Sequence, residues 1–165
     1  CFDYLDSYVM PDVKDPIRII FCDEKPNIEA EPTLAYVQGT ATELAERYPD
    51  QIQIEYLNVW ENPSIAREYG VKADTSVVVA SGDAHRVCTL RDFFLFPAND
   101  SENPVAYTGE KRFAVAMKAV VSKDAPLAYF TLNHGESMTD YALMSAVTIV
   151  TPAEGPSFGI APSGK

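Results

Sequence analysis

Paired cysteines are missing from this chain. Its 165 residues hold three, Cys1, Cys22 and Cys88, with no CxxC spacing among them. An odd, sparse count excludes a disulfide framework and gives no zinc-ligand pattern. Positive charge is scarce as well. Lys and Arg total 13 against 24 acids, a formal charge of −11. Phosphate backbones and anionic membrane surfaces repel such a chain, which excludes nucleic-acid binding through a basic face. Long apolar runs are absent too. Ala142 to Val150 is the longest, and Ser145 and Thr148 interrupt it. A spanning helix needs about 20 apolar residues. Any membrane attachment therefore lies in segments outside this sequence. The first residue is Cys1 rather than Met, which reads as a fragment boundary, with an acylated cysteine as the other reading.

What is present is a real core. Hydrophobic residues make up 47% and aromatics 11%, so most of the chain has enough apolar surface to fold. Phe2 to Val9 has helical spacing, closed by Pro11 and Pro16. Ile17 to Cys22 is a β-branched run that predicts a buried strand. Pro32 suits a helix's first turn, and Leu34, Val37, Ala41, Leu44, Ala45 and Tyr48 share one face. Glu43 and Arg47 are spaced for a helical ion pair. Ile52, Ile54 and Tyr56 alternate with polar residues as in a strand. Asn62-Pro63 opens a short helix and Gly70 suits its left-handed end. Ser76 to Ala80, the turn Ser81-Gly82-Asp83, and Ala84 to Leu90 predict a hairpin. Arg91 to Ala106 reads as a long loop with one helical turn near Asp92. Thr108-Gly109-Glu110 opens a last helix with Phe113, Met117, Val120 and Val121 inward.

This order is β-α-β-α-β-β-α, an α/β arrangement with a parallel pair closed by a hairpin. After Pro126 the pattern restarts. Leu127 to Leu132 predicts a strand, and Ser137 to Val147 a helix. The expected organisation is a first domain over 1–124, the opening β-α of a second α/β domain over 125–150, and an irregular Gly/Pro-rich tail over 151–165.

The order resembles the thioredoxin fold, and Tyr69 to Val79 is similar to the segment leading into that fold's third core strand. Thioredoxin chemistry needs a CxxC at a helix start, where the dipole lowers the thiol pKa. It also needs a proline before that strand. Here Cys22-Asp23-Glu24-Lys25 has one thiol beside two acids, and Thr75 stands at the proline position. Cys22 and Cys88 fall two strands apart, about 9.5 Å, beyond the roughly 7 Å a disulfide spans. Both are expected as free thiols. His134-Gly135-Glu136, preceded by Asn133, ends one predicted strand and precedes a helix. That is where α/β proteins place ligand sites. Its candidate roles are turn and capping cluster, ligand or partner site, or acid-base pair. His85 is expected exposed on the hairpin. Trp60 and Phe93 to Phe96 are core or lid residues, or a platform for a carbohydrate or peptide.

Four stretches carry a closer resemblance. They are Asp12 to Ile19, Leu44 to Tyr48 before Ile52 to Tyr56, Thr108-Gly109-Glu110, and Ala128 to Glu136. In order and spacing they resemble the GldG-like auxiliary proteins of bacterial ABC transport systems, with Asn133 replacing the first Gly of a "GHGE" motif. The resemblance implies a thioredoxin-like unit followed by a domain similar to class I glutamine amidotransferases. It implies a soluble part outside the cytoplasm, membrane anchors elsewhere in the protein, and permease and ATPase partners, with no cofactor or metal and no evident catalytic residue. A homo-oligomer is compatible with it. His134 and Glu136 carry over as the motif's residues. The leading expectation is a non-catalytic accessory domain. The alternatives are a degenerate thiol oxidoreductase, a hydrolase using His134 and Glu136, or a carbohydrate- or peptide-binding module.

Overall fold

The computed structural model describes residues 2–59, 61–97, 100 and 102–122. Helix α1 (Phe2–Tyr8) leads through a 3-10 turn, Met10–Asp12, into strand β1 (Ile17–Phe21). Helices α2 (Lys25–Ala30) and α3 (Pro32–Arg47) follow, then β2 (Ile52–Tyr56), α4 (Pro63–Glu68), β3 (Thr75–Ser81) and β4 (Ala84–Thr89). A 3-10 turn, Leu90–Phe93, precedes β5 (Phe94–Leu95), β6 (Ala106–Tyr107) and α5 (Gly109–Val121).

The four long strands form one sheet in the order β2-β1-β3-β4. β1 runs parallel to β2, with Ile19 beside Ile54. It runs antiparallel to β3, with Ile19 facing Val79. β3 and β4 form the expected hairpin. This is the thioredoxin-like arrangement, a β-α-β unit joined to a β-β-α unit through the centre of one sheet.

Period-two alternation divides the apolar residues between two faces. Ile17, Ile19, Phe21, Val77, Val79 and Cys88 point to one face. There they meet Leu5 of α1, Val37, Ala41 and Leu44 of α3, and Phe113, Met117 and Val120 of α5. Ile20, Cys22 and Val78 point to the other face, with Val59 buried among them and Ala66 and Tyr69 packed against them. Each buried Ile, Val, Leu or Phe contributes about 1.5–3 kcal/mol. The two-sided burial explains why β1 and β3 read as continuous apolar runs.

Some local expectations need correction. Helix α3 begins at Pro32 as expected, but a separate short helix, α2, precedes it. Pro32 lacks the N–H that would continue α2, so α3 starts afresh, capped by the Glu31 carboxylate accepting from the Leu34 N–H at 2.6 Å. Gly70 takes the left-handed φ of +62° after α4, as its position predicts. The helical turn expected near Asp92 is present, and the rest of Arg91 to Ala106 also carries a short ladder, β5–β6. Two-residue strands are too short to leave a period in the sequence.

The Glu43–Arg47 pair is replaced by a longer-range one. Arg47 donates to Asp6 at 3.2 Å, and its guanidinium lies 4.6 Å from the Phe2 ring centre. The Tyr48 hydroxyl donates to the same carboxylate at 2.8 Å. The Tyr48 bond above all, then Arg47, holds the Asp6 carboxyl below its ordinary value of 3.8. A carboxyl with a lowered folded pKa stabilises the fold above its ordinary value, and the contribution vanishes as pH falls through the folded one. Acidification below about pH 4 is therefore expected to loosen α1 from α3. Asp6→Asn should flatten that acid limb when amide exchange of α1 is followed against pH. An unchanged limb would assign the effect to another group.

Candidate functional site

The corner where a thioredoxin-like fold carries its chemistry is the carboxyl end of β1. Phe21 faces the main core and stacks on Tyr56 at 5.7 Å. Cys22, one residue on, points to the opposite face. Its N–H donates to the Ser76 carbonyl at 3.0 Å, which fixes its backbone to the start of β3. Its side chain sits among Ile20, Val59 and Val78 and is 6% exposed. Removal from water pushes its thiol pKa up to about 11.

The neighbours of Cys22 have structural occupations. The Asp23 carboxylate accepts from the Glu24 N–H at 2.7 Å and the Asn27 amide at 2.9 Å, turning the chain into α2. Lys25 stands three residues after Cys22, where the second thiol of a CxxC would be. It pairs with Glu29 at 3.6 Å and lies 5.9 Å from the Tyr56 ring centre. Thr75, at the proline position, is locked into its own turn. Its hydroxyl accepts from the Lys72 N–H at 3.0 Å, and its N–H donates to the Lys72 carbonyl at 3.0 Å.

Cys88 offers no second thiol. Cys22 and Cys88 are both free and buried, and they belong to opposite faces of the sheet. Burial pushes the Cys88 thiol up to about 12. Thiolate is the attacking species in disulfide exchange. At pH 7 a thiol of pKa 11 is about 0.01% ionised, roughly a hundredfold below one of pKa 9. Peptide-resolved iodoacetamide labelling should therefore modify Cys22 and Cys88 slowly in the native chain and rapidly in denaturant. Fast native labelling of Cys22 would place the thiol in water and refute this geometry.

Asn133, His134, Gly135 and Glu136 lie outside the described residues, as do the second-domain opening, the tail and Trp60. His85 is half-buried rather than exposed. Its ring meets Tyr69 edge-on at 5.3 Å, and the Tyr69 hydroxyl accepts from Arg18 at 2.7 Å. Arg18, Tyr69 and His85 thus line one polar edge of the α4 face. The Phe93 to Phe96 run does not act as one platform. Phe93 is fully buried, Phe96 lies under the Arg91 guanidinium at 4.0 Å, and Phe94 lines a separate groove. Among the described residues, no group of three or more His, Cys, Asp or Glu could hold a metal ion, and no helix is long and apolar enough to cross a membrane.

That groove was not legible in the sequence. It is an open depression of about 440 Å³ between the start of α3 and the β5–β6 ladder, lined by Pro32, Tyr36, Phe94, Pro104, Val105 and Tyr107 among others. Its parts come from segments far apart in the chain. The nearest signal is the Thr108-Gly109-Glu110 helix opening. A Cβ on Gly109 would collide with the Tyr107 hydroxyl, so glycine here makes room for the ring that forms the groove wall.

Fold and corner together define a thioredoxin-like domain whose redox positions hold one buried cysteine and a lysine. Comparison with curated proteins agrees with the fold. A thioredoxin of Methanocaldococcus jannaschii is 46% identical over 41 residues, 25% of this chain and 47% of that protein. Thioredoxin 1 of Synechococcus elongatus is 33% identical over 54 residues, 33% of this chain and 50% of that protein. The chain thus spans about half the length of the curated relatives it matches. No family profile matches it, and no solved structure does.

Proposed function

We propose that this chain is a non-catalytic thioredoxin-fold domain of a bacterial ABC transport system, held outside the cytoplasm and acting by protein contact or ligand capture. The observation that supports it best is Cys22. The fold keeps the reactive corner of a thiol enzyme, yet the lone thiol there points into an apolar cluster and Lys25 replaces its partner. A domain with this corner has no low-pKa thiolate to attack a disulfide and no second thiol to resolve the product. This favours a role in protein contact or ligand capture over disulfide exchange. The transporter assignment rests on the resemblance of Asp12 to Ile19, Leu44 to Tyr56, Thr108 to Glu110 and Ala128 to Glu136 to GldG-like auxiliary proteins. In this reading His134 and Glu136 serve a ligand or partner rather than a reaction.

The test is recovery of the native full-length protein from membranes in mild detergent, with mass spectrometry of its companions. A permease and an ATPase should come with it. Recovery of the protein alone from the soluble fraction would overturn the transporter assignment.

The likeness to two thioredoxins favours a second reading, a degenerate thiol oxidoreductase working through Cys22. A disulfide-reduction assay on wild type and Cys22→Ser separates the two. Equal, background rates are expected. A rate that Cys22→Ser abolishes would replace the contact reading with the redox one.

A further inference from the structure

The groove beside α3 has the surface of a docking site. Tyr36 is 61% exposed and Val105 64% exposed. They flank a wall that is already fixed. The Tyr107 hydroxyl shares a 2.7 Å hydrogen bond with the Thr40 hydroxyl. The Tyr107 ring meets Tyr36 edge-on at 4.6 Å and Phe94 at 5.3 Å. The β5–β6 ladder, extended by the Val105 N–H donating to the Leu95 carbonyl at 2.8 Å, ties the far side down. An occupant would meet a rigid aromatic surface, so little ordering cost falls on this chain.

Charge selects the occupant. Every charged residue within two positions of Pro32, Tyr36, Phe94, Pro104, Val105 or Tyr107 is an acid: Glu31, Asp92 and Glu102. Asp92 is engaged by Arg112. Glu31, whose carboxylate also caps α3, directly precedes Pro32, and Glu102 stands two residues before Pro104. Asp100 is held in the same loop as Glu102 by hydrogen bonds from Asn103. The nearest base in sequence, Arg91, lies against Phe96.

We infer that this groove docks an extended, cationic, proline-containing segment of a partner protein. Proline rings lie flat on tyrosine and phenylalanine walls, and a polyproline helix arrives with little conformational entropy to lose. Lysines or arginines flanking the prolines would meet Glu31 and Glu102, which sets orientation more than affinity. The inference rests on the reading of this domain as a contact module, and not on its assignment to a transporter.

The probe is a fluorescein-labelled peptide of Pro-Pro-Arg repeats, titrated with the full chain and followed by anisotropy. Saturable binding is expected, weakened by salt. Tyr36→Ala should weaken it about tenfold or more, and Val105→Asp similarly. Both side chains are exposed, so the variants should fold, as circular dichroism would verify. A Pro-Pro-Glu repeat should bind at least about tenfold more weakly. Four outcomes overturn the proposal: no saturable binding, equal binding of the acidic peptide, binding indifferent to both substitutions, or sedimentation showing a dimer that Tyr36→Ala dissociates. The last would make a second copy of this chain the occupant. Binding without permease and ATPase recovery would remove the transporter and keep the groove. A Cys22-dependent reductase rate would remove the contact reading itself.

Discussion

Phe113→Ala is expected to destabilise the domain by about 3–5 kcal/mol, the usual cost of truncating a fully buried phenylalanine. Phe113 has no exposed surface. Its ring tilts against Phe93 with centroids 5.0 Å apart, joining α5 to the 3-10 turn after β4. Both rings belong to the main core, with Leu5, Val37, Met117 and Val79. Truncation removes apolar area and leaves a void that close-packed neighbours fill only in part. The midpoint of thermal unfolding should fall by about 10–20 °C. Phe113→Leu keeps most of the volume and should cost less than about 2 kcal/mol. Urea unfolding followed by circular dichroism measures both. A loss below about 1 kcal/mol for the alanine variant would mean that α5 does not anchor the sheet as described.

Asp92→Ala should cost about 2–4 kcal/mol, although Asp92 is a polar residue near the surface. Its carboxylate accepts from the Thr89 N–H at 2.8 Å and the Thr89 hydroxyl at 3.0 Å. It faces an Arg112 nitrogen at 3.7 Å, the two side chains being 24% and 13% exposed. Arg112 also donates to the Asp92 carbonyl at 2.8 Å. Loss of the carboxylate leaves a half-buried guanidinium without its counter-charge and a turn without its cap. The penalty for the stranded charge exceeds the net worth of the pair. Adding Arg112→Met to Asp92→Ala should therefore restore part of the lost stability. If the double variant is as unstable as the two single losses summed, the residues are not coupled and the network reading fails.

The elements with strong periodicity could be read directly. β1, α3, β3 and α5 each bury several apolar residues at the spacing their geometry demands, so Ile17 to Phe21 or Phe113 to Val120 announces its partner face. The missing second thiol was equally plain from Lys25. What escaped reading depends on long-range partners. Arg47 has an acid four residues back in Glu43, but tertiary contact gives it Asp6. His85 looked solvent-facing because nothing near it in sequence reveals Tyr69. The α2–α3 break needed the knowledge that Glu31 would cap a new helix. The groove joins Pro32, Phe94 and Val105, residues that no local window holds together. The cysteine pair shows the opposite case. Strand order alone argued that Cys22 and Cys88 stay unbonded, and the pleat adds a second barrier by turning them to opposite faces.

The position of β1 also bears on how the chain is made. Ribosomes deliver β1 and β2 first, and these form a parallel pair with helices between them. The inner neighbour of β1 is β3, which emerges only after α4. Until then Ile17, Ile19 and Phe21 present an apolar strand edge with unpaired backbone groups, the form of surface that recruits other chains. A nascent chain stalled between α4 and β3 is thus the aggregation-prone species. Its hazard lies in the order of synthesis, since completion of β3 turns an open edge of the intermediate into the centre of the finished sheet.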